Sequence, residues 1–241
     1  MEISIINHDI GKQYNMSISN VTPVKGGWLN KKWCADIENG KILIKQFSNQ
    51  RYSNDKIHRL AAIEKTLKNQ IAANLGGVKC PRIYMANDKI IQILPNNIWY
   101  MVMDFSTGHM ESPDSITEIQ MNSLGLECGK MHHFFNIIEI EGERDNFDNY
   151  SDQFLLKLQS RRINAQRAKN EAYNKAVSKH QAIIEDIEDN FFDSIPKGLT
   201  HSDFAFDNIL FDDSCVTAIL DFDTCNLDSH TIIIPTNTFT K

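Results

Sequence analysis

The spacing of apolar residues changes several times along the chain, and each change marks an element. From Met1 to Val21 apolar and polar residues alternate weakly, which predicts a strand or two at the edge of a sheet. Cys34-Ala-Asp-Ile37 and Ile42-Leu-Ile-Lys-Gln-Phe47 flank Asn39-Gly40, the strongest short-range hairpin signal. From about Asp55 to Leu75 the period lengthens. Ile57, Leu60, Ala61, Leu67, Ile71 and Leu75 fall on one helical stripe, with Ser53-Asn54 able to cap the helix and Gly76-Gly77 to end it. Lys89–Leu94 and Ile98–Phe105 return to strands around Pro95-Asn96-Asn97. Pro113 opens a second helix running to about Phe135, whose core face is Met121, Leu124, Cys128, Met131 and Phe135. Asn136 to Asn149 reads as a polar loop, and Tyr150 to Phe192 as two helical stretches broken off by Pro196 and Gly198. Phe211 to Leu220 reads as two short strands joined at Asp212-Asp213-Ser214.

Composition narrows the class. With 241 residues, 41% hydrophobic and 23% charged, the chain can bury a large core as one domain or two lobes. A formal net charge of −6 argues against a nucleic-acid partner, because phosphate contacts require a basic face. No apolar run approaches the roughly 20 residues of a membrane span, and no basic segment followed by an apolar one stands at the N-terminus. Cys34, Cys80, Cys128, Cys215 and Cys225 are scattered without C-x-x-C pairs, as expected of reduced thiols in a cytoplasmic protein.

The candidate chemistry is concentrated near the end. His201, Asp203 and Asn208 stand in the order H-x-D-x-x-x-x-N, and a short apolar run then leads to Asp221-Phe-Asp223. Phosphoryl transfer from a nucleotide needs a carboxylate to orient the acceptor hydroxyl and hard oxygen ligands to hold Mg²⁺ against the phosphates. Asp203 suits the first task, and Asn208 with Asp221 the second. Asp223 is either a further ligand or a loop-capping residue. Upstream, the backbone at Gly26-Gly27 could approach a phosphate closely. Lys45 shares a strand face with Leu43 and Phe47, where a lysine is costly unless it meets an anion. Glu64 lies within the stripe of the first helix and wants a cation, either Lys45 or its i+4 neighbour Lys68.

These motifs resemble those of the aminoglycoside phosphotransferase and choline kinase group, small-molecule kinases related to protein kinases, from about Val21 to Asp223. Protein kinases have H-R-D and D-F-G where this chain has His201-Ser-Asp203 and Asp221-Phe-Asp223. The resemblance implies an α+β, two-lobed protein-kinase-like fold. Residues 1–105 would form a nucleotide-binding lobe with an antiparallel sheet and one helix, and 106–241 a largely helical catalytic lobe. It also implies ATP and Mg²⁺ as cofactors, a Lys45–Glu64 pair, and backbone groups of Met103, Asp104 and Phe105 reading the adenine. The acceptor would be a small molecule with a hydroxyl, such as an aminoglycoside or amino alcohol. Family members continue after the D-F-D element with several helices, whereas Asn226 to Lys241 reads as a strand-like tail. The catalytic lobe is therefore expected to be incomplete. A kinase-like binding protein without turnover remains the alternative.

Overall fold

The computed structural model describes residues 2–26, 30–50, 52, 56–137, 163, 171–185 and 197–229. They fall into two compact units. One contains the described residues up to 137 together with 201–226; the other contains 163, 171–185, 197–200 and 227–229.

The first unit is built on an antiparallel sheet. Its strands are β1 (Ser19–Pro23), β2 (Lys31–Ile37), β3 (Gly40–Gln46), β4 (Ile83–Tyr84), β5 (Gln92–Leu94) and β6 (Ile98–Asp104), in the order β1-β2-β3-β6-β4 with β5 also on β6. The β2–β3 hairpin turns as expected, with Ile37 opposite Gly40 and Lys32 opposite Lys45. Helices cover both faces of the sheet, which explains the almost unbroken apolar run of β6. On one face, Ile42, Ile44, Ile98, Tyr100 and Val102 meet α1 (Glu2–Tyr14). On the other, Trp99, Met101, Met103 and Phe47 pack with Ile63 and Leu67 of α2 (His58–Leu75).

The N-terminus departs from the expected edge strands. Only β1 is one, and the residues before it form α1. Ile6 and Ile10, one helical turn apart, are wholly buried. Full burial of such a side chain contributes about 1.5–3 kcal/mol, which outweighs the modest helix penalty of β-branching, well under 1 kcal/mol per residue. The Tyr100 hydroxyl donates to Asp9 at 2.6 Å, and Lys31 pairs with Glu2, fastening α1 to the sheet.

The buried stripe of α2 is also rotated from the expected one. Ile63, Leu67, Gln70 and Ala73 face inward, while Ile57 and Leu75 are exposed. A buried polar contact helps to set this phase: Gln70 Nε2 donates to the Pro81 carbonyl at 2.8 Å. α3 (Glu118–Ile137) starts later than Pro113, behind a capping box. The Thr117 hydroxyl accepts the Gln120 N–H at 3.2 Å, and Gln120 Oε1 accepts the Thr117 N–H at 3.0 Å. Leu124, Met131 and Phe135 are buried on this helix as expected, but Met121 is exposed.

In the second unit, α4 (Glu171–Glu185) forms a helix within the expected helical region, and β7 (Lys197–Thr200) pairs with β10 (Asn226–Ser229). The expected helix before α4 and the tail after Ser229 lie outside the described residues, apart from Ile163. No described helix is long and apolar enough to cross a membrane.

Candidate active site

The inner face of β3 carries Lys45 into a buried position where its charge is matched by two carboxylates. Nζ lies 2.8 Å from Asp221 Oδ1 and 2.7 Å from Asp223 Oδ2, and it also sits 5.6 Å from the Phe47 ring centroid. Burial opposes the ammonium charge, but Asp223 and Asp221 reverse that effect and hold the Lys45 pKa above the ordinary lysine value. Burial likewise pushes Asp221 up, yet Lys45 outweighs it and leaves the carboxyl below its usual range. Asp223 is deeper. Its side chain is 12% exposed against 36% for Asp221, and burial raises its pKa despite Lys45. Of the two, Asp221 is the more readily ionised.

The loop before β8 (Ile209–Phe211) is tied to the turn after β9 (Val216–Ile219) at several points. His201 is buried, donates Nε2–H to the Leu220 carbonyl at 2.8 Å, and stacks edge-on against Phe222 with centroids 4.6 Å apart. Burial lowers its pKa, so it braces the loop as a neutral ring. The Leu220 N–H donates in turn to the Asn208 carbonyl at 2.7 Å, and Thr224 Oγ1 reaches the His201 carbonyl at 3.3 Å. Asn208 Nδ2 donates to Asp203 twice, to its carbonyl at 3.0 Å and to Oδ2 at 2.9 Å. Asp203 and Asn208 are thus bonded directly, and Asn208 is tied through Leu220 to the turn that carries Asp221. Two non-glycine residues in it adopt left-handed backbone conformations, Ser202 (φ 60°) and Asp221 (φ 63°). Each costs about 1 kcal/mol or more, strain typical of functional loops.

Glu64 does not meet Lys45. Among the described residues no ion pair joins them; instead Glu64 Oε1 accepts the Ile91 N–H at 3.3 Å. The cause is the rotated phase of α2, which leaves Glu64 at the edge of the buried stripe, while Asp221 and Asp223 take the lysine. Of the backbone groups expected to read the adenine, two donors are engaged within the sheet. The N–H groups of Asp104 and Phe105 are already donated, to the Arg82 carbonyl at 2.9 Å and the Lys41 carbonyl at 3.0 Å, and Met103 lies within the sheet opposite Leu43. The Asp104 carboxylate is likewise engaged, by Tyr84 and Arg82. The Ser106 N–H, just beyond Phe105, has no backbone partner among the described residues.

The segment beyond Phe105 is anchored to the β8–β9 hairpin. His109 and Phe211 exchange backbone hydrogen bonds of 2.9 and 2.8 Å, and Thr217 Oγ1 donates to the Thr107 carbonyl at 2.7 Å. Gly108 is required there. Its φ is 141°, and a Cβ would stand 2.6 Å from Thr217 Oγ1. In the loop between β1 and β2, Gly26 adopts φ 107° with open space where a Cβ would lie, as a backbone approach to a ligand needs. Gly27 lies outside the described residues.

The profile of the APH phosphotransferase enzyme family matches residues 20–229, most of the chain. The chain belongs to that family. Solved structures of kinases share its fold. An amicoumacin kinase, determined with AMP-PNP, Ca²⁺ and amicoumacin, is 15% identical with a TM-score of 0.60, and the match covers 95% of this chain and 66% of that one. The spectinomycin phosphotransferase APH(9)-Ia, in complex with ADP and spectinomycin, gives 16%, 0.59, and 93% and 69%. APH(2″)-IIa with streptomycin and ATP gives 14%, 0.57, and 95% and 73%. The chain thus spans about two thirds of the length of these relatives. No curated protein matches it by sequence. The likeness establishes the α+β kinase-like fold expected from the motifs.

Within this family member, the residues present fit a magnesium ion that shares its coordination with a nucleotide. Mg²⁺ typically takes one or two carboxylates plus phosphates rather than an all-protein cage, and the described residues contain no cluster of three or more His, Cys, Asp or Glu that could hold a metal alone. Asn208 uses its amide N–H groups on Asp203, which leaves Oδ1 available as a hard oxygen ligand. Asp221 supplies an ionised carboxylate that remains partly exposed. The sequence reading missed the pairing of Asp223 and the residue Lys32 altogether. Asp223 is an ion-pair partner of Lys45, a role that only the fold reveals. Lys32 stands directly across from Lys45, and the register of the Asn39-Gly40 hairpin could have located it.

Proposed function

We propose that this chain is an ATP-dependent phosphotransferase that moves the γ-phosphate of ATP onto a hydroxyl of a small molecule. The observation that carries the reading is the pairing of Lys45 with Asp221 and Asp223 and of Asn208 with Asp203, on two turns tied together by the Leu220–Asn208 backbone hydrogen bond, in a member of a phosphotransferase family. Lys45 would share with the phosphates the charge it now places on Asp221 and Asp223, and Gly26 lends an open backbone next to β2. Asn208 Oδ1 and the Asp221 carboxylate would hold Mg²⁺, which neutralises phosphate charge when bound.

Asp203 accepts a hydrogen bond from the acceptor hydroxyl. As the hydroxyl oxygen bonds to the γ-phosphorus, the bond to the β–γ bridging oxygen breaks and ADP departs. The hydroxyl proton passes to the Asp203 carboxylate. Asn208 keeps that carboxylate in place through its 2.9 Å hydrogen bond. The acceptor is a cationic small molecule, an aminoglycoside or amino alcohol. Support for that class comes from the acidic stretch from Leu199 to His230, which has no Lys or Arg, and from the antibiotics bound by the structural relatives.

Calorimetric titration with ATP tests the nucleotide half of this reading, with Mg²⁺ and then with excess EDTA. Binding should require the metal and should be lost in Asp221→Asn. An ADP-coupled screen over aminoglycosides, amino alcohols and sugars tests the other half. Transfer should disappear in Asp203→Asn while that variant still binds ATP. Metal-dependent binding by the unaltered chain with no transfer to any acceptor would instead favour a binding protein without turnover.

A further inference from the structure

The inner face of the β2–β3 hairpin carries a second lysine. Lys32 pairs in register with Lys45, so their side chains leave the same face of adjacent strands. Like charges placed directly opposite destabilise a sheet, and β2 is not an edge strand where both could swing into water. Lys45 resolves its charge on Asp221 and Asp223, but Lys32 has no ion-pair partner among the described residues. Burial lowers the Lys32 pKa, the Lys45 charge lowers it further, and Asp221 and Asp223 offset this only in part. Lys32 also stands at the base of the loop containing Gly26, where its carbonyl accepts the Val24 N–H at 2.9 Å. A half-buried cation facing another cation beside a glycine loop is stabilised by an incoming anion.

We infer that Lys32 is a second phosphate-binding residue, which contacts the terminal phosphates of the nucleotide from the β2 side of the cleft while Lys45 contacts them from β3. This rests on the nucleotide reading of the site. Lys32 stands across from Lys45, which lies 2.8 Å from Asp221, so the phosphates it meets are those next to the metal ligands. The repulsion between the two lysines is relieved when the nucleotide enters.

The test is calorimetric titration of the full chain with Mg·ATP, Mg·ADP and adenosine, on the unaltered protein, Lys32→Gln and Lys32→Arg. Lys32→Gln should weaken ATP by about tenfold to a hundredfold, the worth of one hydrogen bond to a charged group. It should leave adenosine within about twofold and preserve or raise the unliganded melting temperature, because a like-charge contact is removed. Lys32→Arg should restore most of the ATP affinity. Unchanged ATP affinity in Lys32→Gln, or an equal loss for adenosine, would overturn the assignment while leaving the nucleotide reading intact. An unaltered chain that binds no nucleotide would overturn both.

Discussion

Lys45→Met offers a direct test of the ion-pair geometry, because methionine keeps much of the length and apolar stem of lysine while removing its charge. In the folded protein the variant leaves Asp221 and Asp223 facing each other without the cation that lies 2.8 and 2.7 Å from them. Breaking a buried pair by removing one partner costs about 3–5 kcal/mol. Asp221 keeps 36% of its side-chain surface in solvent and so retains some hydration, which places the expected loss near the lower end, about 3 kcal/mol. The pH dependence follows from the directions of the shifts. Asp221 is depressed by Lys45, so its stabilisation is present above the unfolded carboxyl pKa and is lost as pH falls through the folded value. Asp223 is already raised by burial, and without Lys45 it rises further. A raised carboxyl destabilises the folded state above its unfolded pKa and is relieved as pH falls. The Asp221 window lies below both test values, so it is the further rise of Asp223 that makes the gap between variant and parent larger at pH 7 than at pH 5. Urea unfolding followed by circular dichroism at the two pH values measures it. A loss below about 1 kcal/mol at pH 7, or a gap that widens at pH 5, would refute the arrangement of charges described here.

Two further substitutions separate structural roles from site roles. Glu64→Gln should leave Mg·ATP affinity within about twofold, since the amide oxygen can still accept the Ile91 N–H; a tenfold loss in a titration would restore Glu64 as a partner of Lys45. Thr117→Ala removes the hydroxyl of the α3 capping box and should cost about 1 kcal/mol in urea unfolding, with nucleotide affinity unchanged.

Much of the architecture was legible where local chemistry speaks for itself. Asn39-Gly40 announces the β2–β3 hairpin, Lys45 stands out as a charge among apolar neighbours, and Asp203 and Asn208 are bonded to each other on a loop tied to the turn that carries Asp221. Elements whose phase depends on tertiary partners were not. α1 contains β-branched residues at both buried positions, Ile6 and Ile10, and these read equally well as strand. In α2 one buried contact is polar, Gln70 to the Pro81 carbonyl, so a hydrophobic count rotates the helix and turns Glu64 toward Lys45. The choice of Asp223 over Glu64 as a partner for Lys45 depends on how the turn after β9 meets β3, some 178 residues away in sequence. Main-chain donors such as those of Asp104 and Phe105 have no side-chain signature, and only the sheet shows that they are occupied.

On the proposed reading, the Asn208–Asp221 pair and Lys45 together receive a metal-bound nucleotide. The most direct test is calorimetric titration of the unaltered chain with ATP, in Mg²⁺ and in EDTA, beside Asp221→Asn in Mg²⁺. Saturable binding is expected only for the unaltered chain with Mg²⁺; equal affinity in all three, or no binding in any, would rule that site out.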